Sequence, residues 1–247
     1  SITMYPFLLN GLTELGGESK APQHIESFCG SFVNLVFAIS AQFAGAIATV
    51  EFLIYFDHFA RRDYGENYLN THATEVANHL QHVVYALNQP AAARGYQSVF
   101  WNISLYDKFY FDSMFGEFVF PDMSKPQWEN IESLQAFFLE WFNNERKRAV
   151  LTFPVVTAAM LTKDGAVRDI NFAATCAKAM SEGNSFFVYQ SESADSLASC
   201  CRLRNEITDN TFSYSLGAGG VSTGSINVIT INMNRLVQDG RDLNTEV

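Results

Sequence analysis

The chain has 247 residues, of which 48% are hydrophobic and 17% are charged, and its formal charge is −10. So apolar a chain can bury enough surface to offset the entropy lost on ordering, which excludes intrinsic disorder, and its length suits one large domain or two small ones. The 26 acidic residues outnumber the 16 basic ones, and an acidic surface repels phosphate backbones, so nonspecific nucleic-acid binding is disfavoured.

Helical patterning dominates the first third of the chain. It runs from about Gln23 to Arg62, and a second helix is predicted over about Asn70–Leu87, where apolar residues recur at helical spacing. Within the first stretch, Phe32–Phe56 has about 20 apolar positions, enough to cross a bilayer. Glu51 would be costly in lipid. A buried helix, or two helices with a break near Gly45, is therefore preferred over a membrane span.

Strands and helices alternate in the remainder of the chain. Segments rich in β-branched and aromatic residues, separated by helical patterns, predict an α/β fold with a mainly parallel sheet or barrel. The helices are expected from about 126 to 148, with Ser124 as N-cap, and over about Asp169–Ser181. The four predicted strands are Gln97–Ser104, Ala149–Thr157, Ser185–Gln190 and Ser225–Met233.

A long segment without a predicted element, Ser191–Gly224, separates the last two strands. Structureless loops of this length are uncommon in compact domains and are usually functional. This one contains the adjacent pair Cys200 and Cys201, and Arg202 and Arg204 beside them would favour thiolate formation. Two small hydrophobic residues packed in a loop would produce the same pattern.

Two further patterns are weaker. His72, Glu75, His79 and His82 fall on one side of a predicted helix, where they could share a metal or simply face solvent. The glycine-rich run 217–224 lacks the Gly-Lys-Ser/Thr ending of a phosphate-binding loop and precedes a strand, so it is interpreted as a flexible return.

Cys29 and Cys176 complete the four cysteines, whose spacing predicts neither a zinc ribbon nor a disulfide framework.

Several stretches together resemble the class III anaerobic ribonucleoside-triphosphate reductases, in particular the phage-type enzymes. The resemblance covers nearly the whole chain, and Ser-Cys-Cys-Arg between two barrel strands is its most specific part. The stretches are Asn88-Gln89-Pro90, 95–104 (GYQSVFWNIS), 149–160 (AVLTFPVVTAAM), 193–204 (SADSLASCCRLR) and 223–232 (TGSINVITIN).

The resemblance implies half of a ten-stranded α/β barrel, preceded by helices. Residues 1–95 would form a helical region with a dimer and effector surface, and residues 96–247 would supply the half-barrel strands and a finger loop at about 191–224. A finger-tip cysteine, Cys200 or alternatively Cys201, would become a thiyl radical and abstract the ribose 3′-hydrogen. The 2′-hydroxyl would then leave as water, with formate as the reductant in many family members.

The family's glycyl-radical motif and four-cysteine zinc site are not found in this sequence. The chain therefore resembles a central fragment that is inactive alone, with no cofactor of its own. The implied partners are a ribonucleoside triphosphate substrate, a nucleoside triphosphate effector, a radical-SAM activating enzyme, and a second copy or a complementary C-terminal fragment. A non-catalytic remnant or effector-binding module is the alternative. No secretory signal is recognised, so the expected location is cytoplasmic.

Overall fold

The computed structural model describes residues 4–12, 19–42, 45–90, 95–194, 196–198, 204–206 and 232–242. The helices are α1 (Tyr5–Asn10), α2 (Ile25–Ser40), α3 (Phe52–Tyr64), α4 (Tyr68–Thr71), α5 (Ala73–Asn88), α6 (Lys108–Phe115), α7 (Trp128–Arg148), α8 (Ile170–Ser181) and α9 (Met233–Asp242). The strands are β1 (Ile47–Thr49), β2 (Trp101–Tyr106), β3 (Val155–Lys163), β4 (Ala166–Val167), β5 (Phe187–Ser191), β6 (Ser196–Ala198) and β7 (Arg204–Glu206).

The main sheet is open and mostly parallel. Its parallel strands lie side by side in the order β1, β2, β3, β5, while the short β4 folds back antiparallel on the end of β3. Helices connect each parallel strand to the next, as parallel neighbours require. The predicted parallel arrangement is confirmed for three of the four strands. The fourth, Ser225–Met233, lies outside the described residues except at its end, where Met233 begins α9 and is not in a strand.

The apolar run Phe32–Phe56 is not a single helix. It contains the end of α2, the three-residue strand β1 and the start of α3, so the break predicted near Gly45 is correct but the strand beside it was missed. In the part of the chain that the structure describes, no helix is both long enough and apolar enough to span a bilayer. The run is apolar because it packs inside the protein.

Aromatic side chains attach the first helices to the sheet. The Trp101 ring, at the start of β2, lies 5.6 Å from the Phe32 ring of α2 and 5.2 Å from the Phe52 ring of α3. All three residues are fully buried, and burying such a side chain contributes about 1.5–3 kcal/mol. One hydrophobic cluster extends from Met4 to Phe186.

This cluster uses the apolar side chains of the helices that the family resemblance places at a dimer surface. The apolar stripe of α5 is buried inside the chain and consists of Val76, Leu80, Val83, Val84 and Leu87. β1 lies within the predicted helical region 1–95 but pairs with β2. The division at residue 95 and the homodimer both stay predictions.

Other boundaries also differ from those predicted, and one helix was not predicted. α7 begins at Trp128, and Ser124 is not its N-cap, because the Ser124 hydroxyl donates to Asp122 Oδ1 at 2.6 Å. α6 was not predicted; Asp107 caps it by accepting from the Tyr110 backbone N–H. The strand predicted at Ala149–Thr157 is shifted, since β3 begins only at Val155.

Asn88, the last residue of α5, explains that shift. Its side-chain Nδ2 donates to the carbonyl oxygens of Val84 and Phe153 at 2.8 and 2.6 Å. Its Oδ1 accepts from the backbone N–H groups of Thr152 and Phe153, both at 3.0 Å. The segment before β3 therefore bonds to a side chain instead of a neighbouring strand. Ser98 donates its hydroxyl to the Asn88 carbonyl at 2.8 Å, which joins the approach to β2 to the same residue.

Replacing Asn88 by alanine is expected to destabilise the chain by about 2–4 kcal/mol, because several backbone groups lose their partner at once. Urea unfolding followed by circular dichroism measures the loss. Asn78→Ala is the matched control, since Asn78 is exposed on the same helix and should change stability by less than about 0.5 kcal/mol. Equal stability of the two variants would contradict the role given to Asn88.

Candidate functional site

The two faces of the sheet differ in chemistry. Successive residues of a strand point to opposite faces, so Trp101 lies on the face covered by α2 and α3, and Asn102 and Ser104 lie on the other. Thr157 of β3 is in register with Ser104 and shares that face. We call Asn102, Ser104 and Thr157 the polar strip. Their exposures are only 0%, 3% and 3%, so the polar strip is a buried surface.

Asn102 has one half of its amide paired and the other half free. Its Nδ2 donates to the Val155 carbonyl at 2.8 Å and to Thr157 Oγ1 at 3.1 Å. Because these acceptors fix the amide's orientation, its Oδ1 points away from them, and this oxygen is buried without a hydrogen-bond partner. A buried acceptor left unpaired costs about 1–3 kcal/mol.

Ser104 adds a second buried polar group, two residues farther along β2 and on the same face. Its Oγ has no partner within ordinary hydrogen-bond geometry, and a weak hydrogen bond between this hydroxyl and the Tyr106 phenol acts to lower the pKa of Tyr106. Burial dominates at Tyr106 and raises that pKa well above its ordinary value. Native proteins pair most buried polar atoms. Of the four unpaired side-chain atoms found in the described residues, those of Asn102 and Ser104 share one face of β2, while Tyr55 Oη lies on α3 and Asn184 Oδ1 lies before β5.

At the carboxyl end of β2, a side chain replaces a neighbouring strand as the hydrogen-bond partner of the backbone. β1 stops at Thr49, so Tyr106 has no backbone neighbour on that side. Gln135 of α7 supplies both bonds instead. Its Oε1 accepts from the Tyr106 N–H at 2.7 Å and its Nε2 donates to the Tyr106 carbonyl at 3.0 Å.

Two aspartates organise the same edge of the sheet. Asp107 Oδ1 caps α6, and its Oδ2 accepts from the Leu161 N–H of β3 at 2.8 Å. Asp169 makes the same two kinds of hydrogen bond. Its Oδ1 caps α8 by accepting from the Phe172 N–H, and its Oδ2 accepts from the Lys108 N–H at 3.1 Å. Burial raises the pKa of Asp107, although its bonds to backbone N–H groups act against this. Both carboxylates are positioning groups with their oxygens occupied.

The cysteine pair predicted to carry the chemistry, Cys200 and Cys201, lies outside the described residues. The other two cysteines are on separate helices and are buried, Cys29 on α2 and Cys176 on α8. Burial raises the pKa of Cys176 to about 12 and raises that of Cys29 further. Neither is therefore a reactive thiolate, and the two do not fit a shared metal site.

Two residues of the predicted histidine pattern, His72 and His79, contact the same tyrosine, Tyr64. His72 precedes α5, and its ring stacks on Tyr64 with centroids 4.6 Å apart. His79 Nε2 lies 2.9 Å from the Tyr64 hydroxyl. Within the described ranges, no group of three or more histidine, cysteine or acidic side chains could hold a metal ion.

Sequence reasoning missed the polar strip and a buried carboxylate on α3. The three residues of the polar strip lie in the stretches 95–104 and 149–160 singled out in the sequence, but only the strand register shows that they share one face. The carboxylate is Asp57, which accepts from Arg61 Nε and from the Tyr68 hydroxyl, each at 2.8 Å. Burial raises its pKa to about 6, because it outweighs both partners. Since both oxygens are bonded, Asp57 ties α3 to α4.

Comparison with known proteins gives a consistent result. The family model described as anaerobic ribonucleoside-triphosphate reductase matches residues 1–246. Solved structures of the Thermotoga maritima anaerobic ribonucleotide reductase are similar to this chain. The complex with dATP and CTP is 30% identical, with a TM-score of 0.74 over 81% of this chain and 34% of that one. The form with citrate in the active site is 29% identical, with a TM-score of 0.71 over 79% and 35%.

A third structure of that enzyme, with dATP bound in the specificity site, is 30% identical, with a TM-score of 0.73 over 79% of this chain and 34% of that one. The matched region thus spans about a third of the length of these enzymes. None of the curated protein sequences matches the chain.

The raised pKa of Asp57 predicts a pH dependence of stability. A carboxyl whose pKa is 3.8 when unfolded and about 6 when folded binds more protons in the folded state between those values. Its contribution to stability is complete below about pH 4 and is lost as the pH rises through about 6. Between these limits the unfolding free energy should fall by roughly 1–3 kcal/mol relative to that of Asp57→Asn.

Urea unfolding at half-unit pH steps measures this difference. Above about pH 7 the difference between wild type and Asp57→Asn should become constant, because the carboxyl is then ionised in both states. Parallel stability curves across the whole range would contradict the assignment.

Proposed function

We propose, given that this chain belongs to the anaerobic ribonucleoside-triphosphate reductase family, that it forms part of the catalytic chain of an enzyme that reduces ribonucleoside triphosphates to deoxyribonucleotides. The family match over residues 1–246 carries the proposal. The mostly parallel sheet supports it, since four side-by-side parallel strands with helical connections suit one half of a ten-stranded barrel.

The proposed chemistry needs a cysteine sulfur held near the ribose. Cys200, with Cys201 as the alternative, becomes a thiyl radical and takes the 3′-hydrogen of the substrate. The 2′-hydroxyl then leaves as water. With formate as reductant, two electrons and one hydrogen pass to the sugar and formate leaves as carbon dioxide, so one ribonucleotide and one formic acid yield one deoxyribonucleotide, carbon dioxide and water.

The described residues support this chemistry through their placement. The loop that contains the cysteine pair leaves the sheet at the end of β5, whose last residue, Ser191, is paired with Leu161 of β3. The paired strands hold the start of this loop in place. A buried sheet surface also excludes water, which protects a reactive radical.

Other components of the proposed reaction do not lie within these 247 residues. The glycyl radical and the four-cysteine zinc site belong to a C-terminal segment in the proposed complete enzyme, and Cys29 and Cys176 cannot replace that zinc site because they are buried on separate helices. A radical-SAM enzyme generates the radical. The assembly includes a second copy of the chain or a complementary fragment, and a nucleoside triphosphate effector.

The test is to supply the chain with a complementary segment that carries a glycyl-radical motif. The assembly is activated anaerobically, and deoxyribonucleotide formation from each ribonucleoside triphosphate is measured with formate present. Formate-dependent product supports the proposal. An activated assembly that binds nucleotide without turnover would support the non-catalytic alternative instead.

In the active assembly, Cys200→Ser is expected to abolish reduction, because a serine hydroxyl cannot form the thiyl radical, while Cys201→Ser retains it. Total deoxyribonucleotide yield over several hours measures both. Loss of activity in Cys201→Ser alone would assign the radical to Cys201. Full activity in both variants would refute the role of the pair.

A further inference from the structure

We propose that Asn102 and Ser104 form a recognition pair for a ribose hydroxyl of the nucleotide substrate. This inference deepens the function proposed above and rests on it. The structure contributes the two polar atoms, Asn102 Oδ1 and Ser104 Oγ, which are buried on one face of β2 and have no hydrogen-bond partner.

Amide side chains in this fold differ in how fully they are paired. Asn88 uses both Nδ2 and Oδ1, with two partners for each. Gln135 likewise uses both ends of its amide on Tyr106. Asn102 uses only its Nδ2, although its exposure is 0%. The Asn102 Oδ1 can therefore still accept a hydrogen bond. Asn184 also donates through Nδ2, to the Leu139 carbonyl, and leaves its Oδ1 without a partner, so it is the position of Asn102 beside Ser104 on one face of β2 that matters here.

The chemistry of the pair selects a hydroxyl-bearing ligand. An amide oxygen only accepts hydrogen bonds, whereas a serine hydroxyl both donates and accepts. Asn102, Ser104 and Thr157 carry no charge, so the pair offers nothing to neutralise a triphosphate or a carboxylate. A sugar hydroxyl can donate to Asn102 Oδ1 and exchange a second bond with Ser104 Oγ.

Ser104→Ala is the informative variant because its hydroxyl loses at most a weak bond to the Tyr106 phenol in the free protein. Removing an unpaired buried group is neutral or stabilising, so the thermal midpoint should be unchanged or higher. The affinity for substrate should nevertheless fall by about 3- to 10-fold, which is the value of one neutral hydrogen bond. A variant that is equally stable but binds more weakly separates recognition from folding.

The matched control is Ser98→Ala, three residues before β2. Its hydroxyl donates to the Asn88 carbonyl, away from the polar strip. This control should lose stability and keep its nucleotide affinity. Ser104→Ala should therefore lose affinity and keep stability, whereas Ser98→Ala should lose stability and keep affinity. General damage to β2 would not produce this difference.

The experiment uses the active assembly described above and isothermal titration calorimetry. The probes are CTP, 2′-deoxy-CTP and 3′-deoxy-CTP. In wild type, the analogue that lacks the recognised hydroxyl should bind about 3- to 10-fold more weakly than CTP. In Ser104→Ala, this preference should disappear, and the analogue concerned identifies the hydroxyl.

Unchanged CTP affinity and unchanged preference in Ser104→Ala would overturn the inference, since the pair would then meet only water or another part of the protein. If the wild-type assembly still forms deoxyribonucleotides in that case, the proposed function stands and this inference alone fails. An assembly that neither binds nor reduces ribonucleotides would refute both.

Discussion

Each backbone N–H and C=O in a buried sheet needs a partner, and the strands here are too unequal in length to supply all of them. β1 has 3 residues, while β2 has 6 and β3 has 9. Side chains fill the difference. Asn88 bonds the segment before β3, Gln135 bonds the end of β2, and Asp107 bonds the β3 backbone beyond the point where β2 stops. The architecture depends on these substitutions of side chain for strand.

The same constraint separates structural polar groups from those available for function. Gln135 and Asp107 have both of their polar atoms engaged by backbone, so a ligand could reach them only by displacing part of the fold. Asn102 stabilises β3 through Nδ2 and keeps its oxygen free. One side chain can thus hold two strands together and still present a recognition atom on the sheet surface.

The sequence predicted the elements whose signals are local. The apolar stripe predicted α5, and the helical pattern over about Asp169–Ser181 predicted α8. β1 was missed because a segment of three residues inside a mostly apolar run shows no periodicity, and only pairing with β2 makes it a strand. Asn102 and Ser104 were part of a recognisable motif, but their free atoms follow from the register and from which neighbours bond the amide. Such information is absent from residue order.

The paired aspartates have a mechanical consequence for the edge of the sheet. Asp107 links the start of α6 to Leu161, and Asp169 links the start of α8 back to Lys108. Leu161 is also paired with Ser191. The starts of α6 and α8 and the carboxyl ends of β3 and β5 are therefore bonded to one another. A tilt of either helix would displace the point from which the chain leaves β5. The stiffness of this corner therefore sets how far the carboxyl end of β5 can shift relative to α6 and α8.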